Sequence, residues 1–163
     1  MEKLGNALMR CLEVFVVVVI SIMSILVIVN VGLRFFFHSS IVVSEELSRF
    51  LFIWVVFVGA IIAMKEDAHI YVDFIRKAMP RPVQWFVILI VNLAMLYCCY
   101  FLLNGSIQLT EYNSIDKAPV SGISMGYVYF AGVVGAAGMG VVLIIRIVKH
   151  LKAFGSYMHG REA

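Results

Sequence analysis

The sequence predicts an all-α integral membrane protein. Four transmembrane helices are expected, with an added amphipathic helix on the membrane surface. Three observations carry this. Of 163 residues, 63% are apolar and only 14% are Asp, Glu, Lys or Arg, against about 25% charged residues in a typical soluble domain. The mean hydropathy is +0.99. The apolar residues gather in four runs, each near the ~20 residues that cross a bilayer. So few charges cannot coat a soluble surface, which excludes a water-soluble domain and a disordered tail. The net charge of +3 is small and unevenly placed, which points to membrane topology and to no nucleic-acid partner.

The first span, 14–33, has no formal charge. Its apolar core is longer than the 7–15 residues usual in a signal peptide, and Arg34-Phe35-Phe36-Phe37-His38 follows it where a small-residue cleavage site would stand. It is expected to persist as a helix. Ahead of it, Leu4, Ala7, Leu8, Cys11 and Leu12 make one apolar stripe, which suits a membrane surface or an ordinary amphipathic lead-in.

The second span, 47–64, is charged only at Arg49. Ser44 stands where its hydroxyl can cap the helix start. Glu45 and Glu46 follow in the first turn, where negative charge suits the helix dipole. Arg49 lies four residues after Glu45 and three after Glu46, so pairing with a carboxylate explains an arginine at the edge of the span. Phe50, Trp54, Phe57 and Ile61 form an aromatic stripe, with Gly59 and Ala63 on another.

Between the second and third spans, Ala68, Tyr71, Val72, Ile75 and Met79 recur at helical spacing. His69, Asp73, Arg76 and Lys77 take the opposite face, so residues 67–79 read as an interfacial helix. The third span, 83–103, is uncharged; Asn92 near its middle should turn inward and hydrogen-bond. The fourth, 125–145, carries Gly132, Ala136 and Gly140 at steps of four, with Gly135 and Gly138 beside them. Small residues at this spacing let helix backbones approach, within this chain or against another subunit. Pro80, Pro82 and Pro119 all fall between spans. The whole chain, 1–163, reads as a single membrane domain.

Orientation follows from basic residues, which favour the cytoplasmic side. Ten of the 13 Lys and Arg lie at the amino end, in the second loop or in the tail; Arg34, Arg49 and Lys117 lie on the other side. Both termini are therefore expected in the cytoplasm, with the loops at 34–46 and 104–124 facing outward.

The chemistry that is missing narrows the function. No charge stands at mid-span, where ion and substrate paths place theirs. His38, His69, His150 and His159 all fall in loops or the tail, so no haem ligands face each other in the membrane. His69 and Asp73 share a helical face, but two ligands are too few for a metal site. Cys11, Cys98 and Cys99 have no disulfide or zinc spacing and read as small apolar fillers. No catalytic residue, cofactor or metal site is expected. A chain of this kind acts as a partner to another protein. The competing class is a small autonomous homo-oligomeric transporter, for which only Ser21, Ser24 and Asn92 would be available as pore-lining groups.

Several blocks together resemble one family. They are Arg34-Phe35-Phe36, then Ser44-Glu45-Glu46-Leu47-Ser48-Arg49-Phe50-Leu51-Phe52-Ile53-Trp54, then Phe57-Val58-Gly59-Ala60, and His69-Ile70-Tyr71-Val72-Asp73. Pro119 and Gly122-Ile123-Ser124-Met125-Gly126-Tyr127-Val128-Tyr129 follow the same pattern. From about 10 to 150 the chain resembles the small membrane subunit, DctQ type, of tripartite ATP-independent periplasmic (TRAP) transporters; Val43 departs from the aromatic residue often found there. The resemblance implies three partners: a large membrane subunit holding the substrate and sodium sites, an extracytoplasmic substrate-binding protein, and the lipid of the bacterial inner membrane. It implies a static brace in the uptake of an organic anion, such as a C4-dicarboxylate, sialic acid or another sugar acid. Arg34, Glu45, Glu46 and Arg49 would order the outward end of the brace. The segment 104–124 is open to two readings, a plain connection or a surface that receives the binding protein.

Overall fold

The computed structural model describes residues 2–39, 41–66 and 81–159. They form four helices: α1 (Glu2–Phe37), α2 (Val42–Glu66), α3 (Arg81–Tyr112) and α4 (Met125–His159). All four are long and apolar enough to cross a membrane. The surface helix expected at 67–79, with His69 and Asp73, lies outside the described residues.

The helices outrun the apolar runs that predicted them. α1 has 36 residues and α4 has 35, so each exceeds 50 Å at about 1.5 Å per residue, against a hydrocarbon core of about 30 Å. Hydropathy marks where lipid ends, but backbone hydrogen bonding continues into the polar layers until something stops it. α3 continues to Tyr112, so the expected 104–124 connection shortens to 113–124. The amino-terminal stripe belongs to the first turns of α1. There Ala7, Leu8 and Cys11 are exposed, while Met9 and Leu12 turn inward.

Helix neighbours run in the order α1–α2–α4–α3. Among the described residues α1 packs along α2 alone and α3 along α4 alone, so the bundle is an open row. α2 and α4 lie at its centre and run parallel, because Phe57 meets Gly135 and Ile61 meets Gly138 further along both helices. α4 is the most enclosed: 33% of its most apolar stretch is buried, against 11%, 17% and 11% for α1, α2 and α3.

The α1–α2 seam has coiled-coil spacing. From Ala7 onward, apart from Gly32, the buried or half-buried residues of α1 are Met9, Leu12, Val16, Val19, Met23, Leu26, Asn30 and Leu33, alternating steps of three and four. This is the spacing of side chains that interlock across a left-handed helix pair. Towards the end of the row that carries the termini, Met9, Ile61, Cys99, Met139 and Leu143 join in one apolar cluster with contributions from all four helices.

At the opposite end the connection between α3 and α4 is held by hydrogen bonds. Residues 113–124 fold back on themselves. The Ala118 N–H donates to the Ile123 carbonyl at 2.8 Å, and Met125 N–H to the Asp116 carbonyl at 2.9 Å. Gly122 has φ +69°, a conformation that a side chain disfavours. Ser124 then starts α4: its hydroxyl accepts from Gly126 N–H at 3.3 Å and donates to the Ser114 carbonyl at 2.8 Å.

Candidate functional site

The polar side chains gather at the end that carries this connection. Asn30, near the end of α1, is 7% exposed. Its Nδ2 donates to Glu45 Oε1 at 3.0 Å, and its Oδ1 accepts from Ile41 N–H at 2.9 Å. Ile41 immediately precedes α2, so Asn30 caps a helix other than its own. Glu46 reaches the other way: its Oε2 accepts from Ser121 N–H at 2.6 Å. Two consecutive glutamates thus hold α1 on one side of α2 and the 113–124 connection on the other. Carboxylates that accept from N–H donors form stronger bonds than neutral pairs.

The cap read from the sequence is corrected here. α2 begins at Val42, two residues before Ser44. Ser44 is buried within the first turn, where its N–H donates to Ile41 C=O at 2.9 Å and its C=O accepts from Ser48 Oγ at 2.7 Å. The hydroxyl has no free start to cap, because Asn30 has taken that role. The pairing of Arg49 is corrected too. Among the described residues, Arg49 is exposed and makes no hydrogen bond or close ion pair with either glutamate, whose contacts are to N–H donors elsewhere; its charge acts on Glu46 only at a distance. Arg34 is also exposed, in the last turn of α1, where a cation suits the negative helix end.

The centre of the row is held by close packing. A Cβ on Gly135 would meet Phe57 Cδ1 at 2.6 Å, and one on Gly132 would meet Ser106 Oγ of α3 at 2.6 Å. Gly138 is closed in the same way by Ile61. The aromatic stripe of α2 is therefore split. Phe57 and Ile61 turn into α4, and Trp54 is half-buried. At the end with the termini, Arg146 of α4 donates to the Met64 carbonyl in the last turn of α2. His150 stacks on Trp85 of α3 with ring centroids 5.5 Å apart.

A family model for the DctQ component of the tripartite ATP-independent periplasmic transporters matches residues 23–153. The chain belongs to this family. It is a TRAP transporter small permease subunit, a multi-pass membrane protein and not an enzyme. A TRAP transporter small permease protein of Haemophilus influenzae is 36% identical over 148 residues, covering 91% of this chain and 92% of its own length. A second from that organism is 32% identical over 150 residues, covering 92% and 91%. A sialic acid TRAP transporter permease protein, SiaT, of Haemophilus influenzae is 26% identical over 117 residues. That match covers 72% of this chain and 18% of SiaT, so the similar region is one portion of a much longer polypeptide.

The remaining residues singled out in this small permease are spread along the row. Asn92 is 5% exposed and donates Nδ2 to the Ile88 carbonyl of its own helix at 2.8 Å. Ala136 is 2% exposed. Gly140 has nothing within 4 Å of where a Cβ would stand, so the close approach of α2 to α4 runs along Gly135 and Gly138, three residues apart, while Gly132 is closed chiefly by Ser106 of α3. Gly140 instead lines an apolar groove of about 620 Å³ between α3 and α4, with Ala137, Val141, Tyr97 and Tyr100. Sequence reasoning passed over Asn30 and Ser121. Asn30 carried a usable signal: it is an amide within a long apolar helix, where an unpaired polar group is costly. Ser121 carried none, because its contribution is a backbone N–H.

Proposed function

We propose that this small permease is the non-catalytic, stationary brace of a TRAP transporter. It holds the large membrane subunit, which carries the substrate and sodium sites. The system takes up an organic anion, a C4-dicarboxylate, sialic acid or another sugar acid, delivered by an extracytoplasmic binding protein. The SiaT relative favours the sialic acid class within that range. In this reading the chain sits in the bacterial inner membrane with both termini in the cytoplasm. Residues 67–79, including His69 and Asp73, lie on the inner surface. The end bearing Asn30, Glu45 and Glu46 faces outward, and Arg34, Ser44, Arg49, Trp54, Asn92, Gly132, Ala136 and Gly140 serve the packing of the brace and its subunit contacts.

One observation supports a brace above all. Asn30, Glu45, Glu46 and Asn92 are engaged in ties between or within the helices of the row, while broad apolar flanks stay uncovered. A transport path needs polar groups along it at depth. A scaffold needs rigid ends and a large packing face. The test is to tag this chain, extract it mildly from native membranes and identify what accompanies it by mass spectrometry. A much larger many-helix membrane protein in equal amount supports the brace. An assembly of this chain alone overturns it in favour of an autonomous homo-oligomeric transporter.

A further inference from the structure

The open side of α2 carries charge at one end and apolar surface below it. Glu45, Arg49, Phe52, Val56 and Ala63 are all exposed. With Gly59 they recur at alternating steps of four and three, which keeps them on one helix face. Nothing lies within 4 Å of where a Cβ on Gly59 would stand, so the face is hollow at that level. The packed sides of α2 lie elsewhere. Ser48 and Val58 are buried, and Phe57 and Ile61 turn into α4.

Arg49 is the one charge in the run 47–64. It enters that run by two residues, about 3 Å at about 1.5 Å per residue. Helical side chains lean toward the N-terminus of their helix, and long cations extend their heads toward water. For α2 both effects carry the guanidinium to the headgroup layer at the connection end. Among the described residues it has no hydrogen-bond partner, and a guanidinium at the edge of hydrocarbon is costly without one. Lipid phosphates stand at that level, and their oxygens fit the planar fork of a guanidinium.

The neighbouring carboxylates set the class of lipid. A headgroup with negative charge alone would be repelled by Glu45 and Glu46. A zwitterionic headgroup brings its own ammonium, which lies further from the tails than the phosphate. Glu45 stands one turn further out than Arg49, at the matching level. One of its oxygens accepts from Asn30 at 3.0 Å, and the other has no partner among the described residues. A protein carboxylate in place of the phosphate would meet the same repulsion without a compensating cation.

We propose that this face of α2 binds a zwitterionic phospholipid with a primary ammonium, a phosphatidylethanolamine. The phosphate lies on Arg49 and the ammonium donates to Glu45. An acyl chain runs along Phe52 and Val56 into the hollow at Gly59. Arg49 then serves the row by packing lipid against it. The assignment holds for either orientation of the row in the membrane, and with or without the brace reading.

Native mass spectrometry of the full chain, purified in mild detergent with the proteins that accompany it, tests this. Palmitoyl-oleoyl phosphatidylethanolamine, phosphatidylcholine and phosphatidylglycerol are added back one at a time after delipidation. One phosphatidylethanolamine is expected to bind more tightly than either of the others. Arg49→Gln should weaken it about tenfold, and Arg49→Lys, which keeps the charge, less. Glu45→Gln keeps an acceptor for Asn30 and should bring phosphatidylethanolamine down to the level of phosphatidylcholine, whose own binding stays unchanged. Equal binding by Arg49→Gln and the unsubstituted chain overturns the site. Phosphatidylglycerol binding as tightly as phosphatidylethanolamine overturns the role of Glu45 and the lipid class with it. Photo-crosslinking from benzoylphenylalanine in place of Phe52, in native membranes, separates lipid from protein. A phospholipid adduct that falls in yield with Arg49→Gln supports the site. A phospholipid adduct indifferent to Arg49→Gln reports bulk lipid only, and an adduct with another protein makes this face a subunit contact; either overturns the proposal.

Discussion

Asn30 Nδ2 donates to Glu45 Oε1 at 3.0 Å while Asn30 Oδ1 accepts from the backbone of Ile41. One buried amide therefore serves two neighbours, a carboxylate and the start of a helix. Glu46, the next residue, binds the opposite side of the row through Ser121. α2 is gripped between α1 and the α3–α4 connection by side chains of two consecutive positions. The open row has no fourth side to close it, so its order at this end depends on these ties.

Replacing Asn30 tests the first tie. Asn30→Leu keeps an apolar seam but removes both bonds, leaving Ile41 N–H without its acceptor. The expected loss is about 1–3 kcal/mol, read as a lower thermal midpoint of the isolated chain in detergent. Glu45→Gln keeps an acceptor oxygen and should lose less. Equal midpoints for Asn30→Leu and the unsubstituted chain would mean that the amide holds nothing.

Glu46→Ala should release the 113–124 connection without loosening the helices. Amide hydrogen exchange is the measurement. Ser121 and its neighbours should exchange faster, while the amides of α4 around Ala136 stay protected. Unchanged exchange at Ser121 would show that the hairpin holds itself through Ala118, Ile123 and Gly122 alone.

The glycines of α4 should divide by their surroundings. Gly135→Ala drives a methyl into Phe57, whose Cδ1 lies at 2.6 Å and Cβ at 2.8 Å. Overpacking of this kind costs about 1–3 kcal/mol. Gly140→Ala meets open space and should be neutral or stabilising by about 0.5–1 kcal/mol through helix propensity. Thermal unfolding of the two variants side by side decides it, and a reversed order would refute the packing along Gly135 and Gly138.

The proposed topology predicts a labelling pattern. With the native cysteines replaced, Ser114→Cys should react with a membrane-impermeant maleimide added outside. Ser156→Cys should react only after permeabilisation. The reverse pattern would invert the row and place the Asn30–Glu46 end in the cytoplasm.

Hydropathy and basic-residue placement are local properties of the chain, and the four spans were legible from them because a bilayer selects on local composition. The small-residue run of α4 was visible for the same reason. The register of its packing was not, because Gly132, Gly135 and Gly138 differ from Gly140 only in what stands opposite them. Helix ends were also hidden. α3 gains its residues up to Tyr112 from backbone hydrogen bonding outside the apolar core, and the start of α2 is set by an amide eleven positions earlier in the chain. The two glutamates show the division most sharply. The sequence by itself determined that Glu45 and Glu46 stand near the start of a membrane helix. It offered Arg49 as their nearest partner, because local spacing sees only neighbours within a turn or so. Tertiary structure decided that they bind Asn30 and Ser121 instead, 15 and 75 positions away. A carboxylate beside two packed elements takes the donors those elements present, and only the fold brings them within reach.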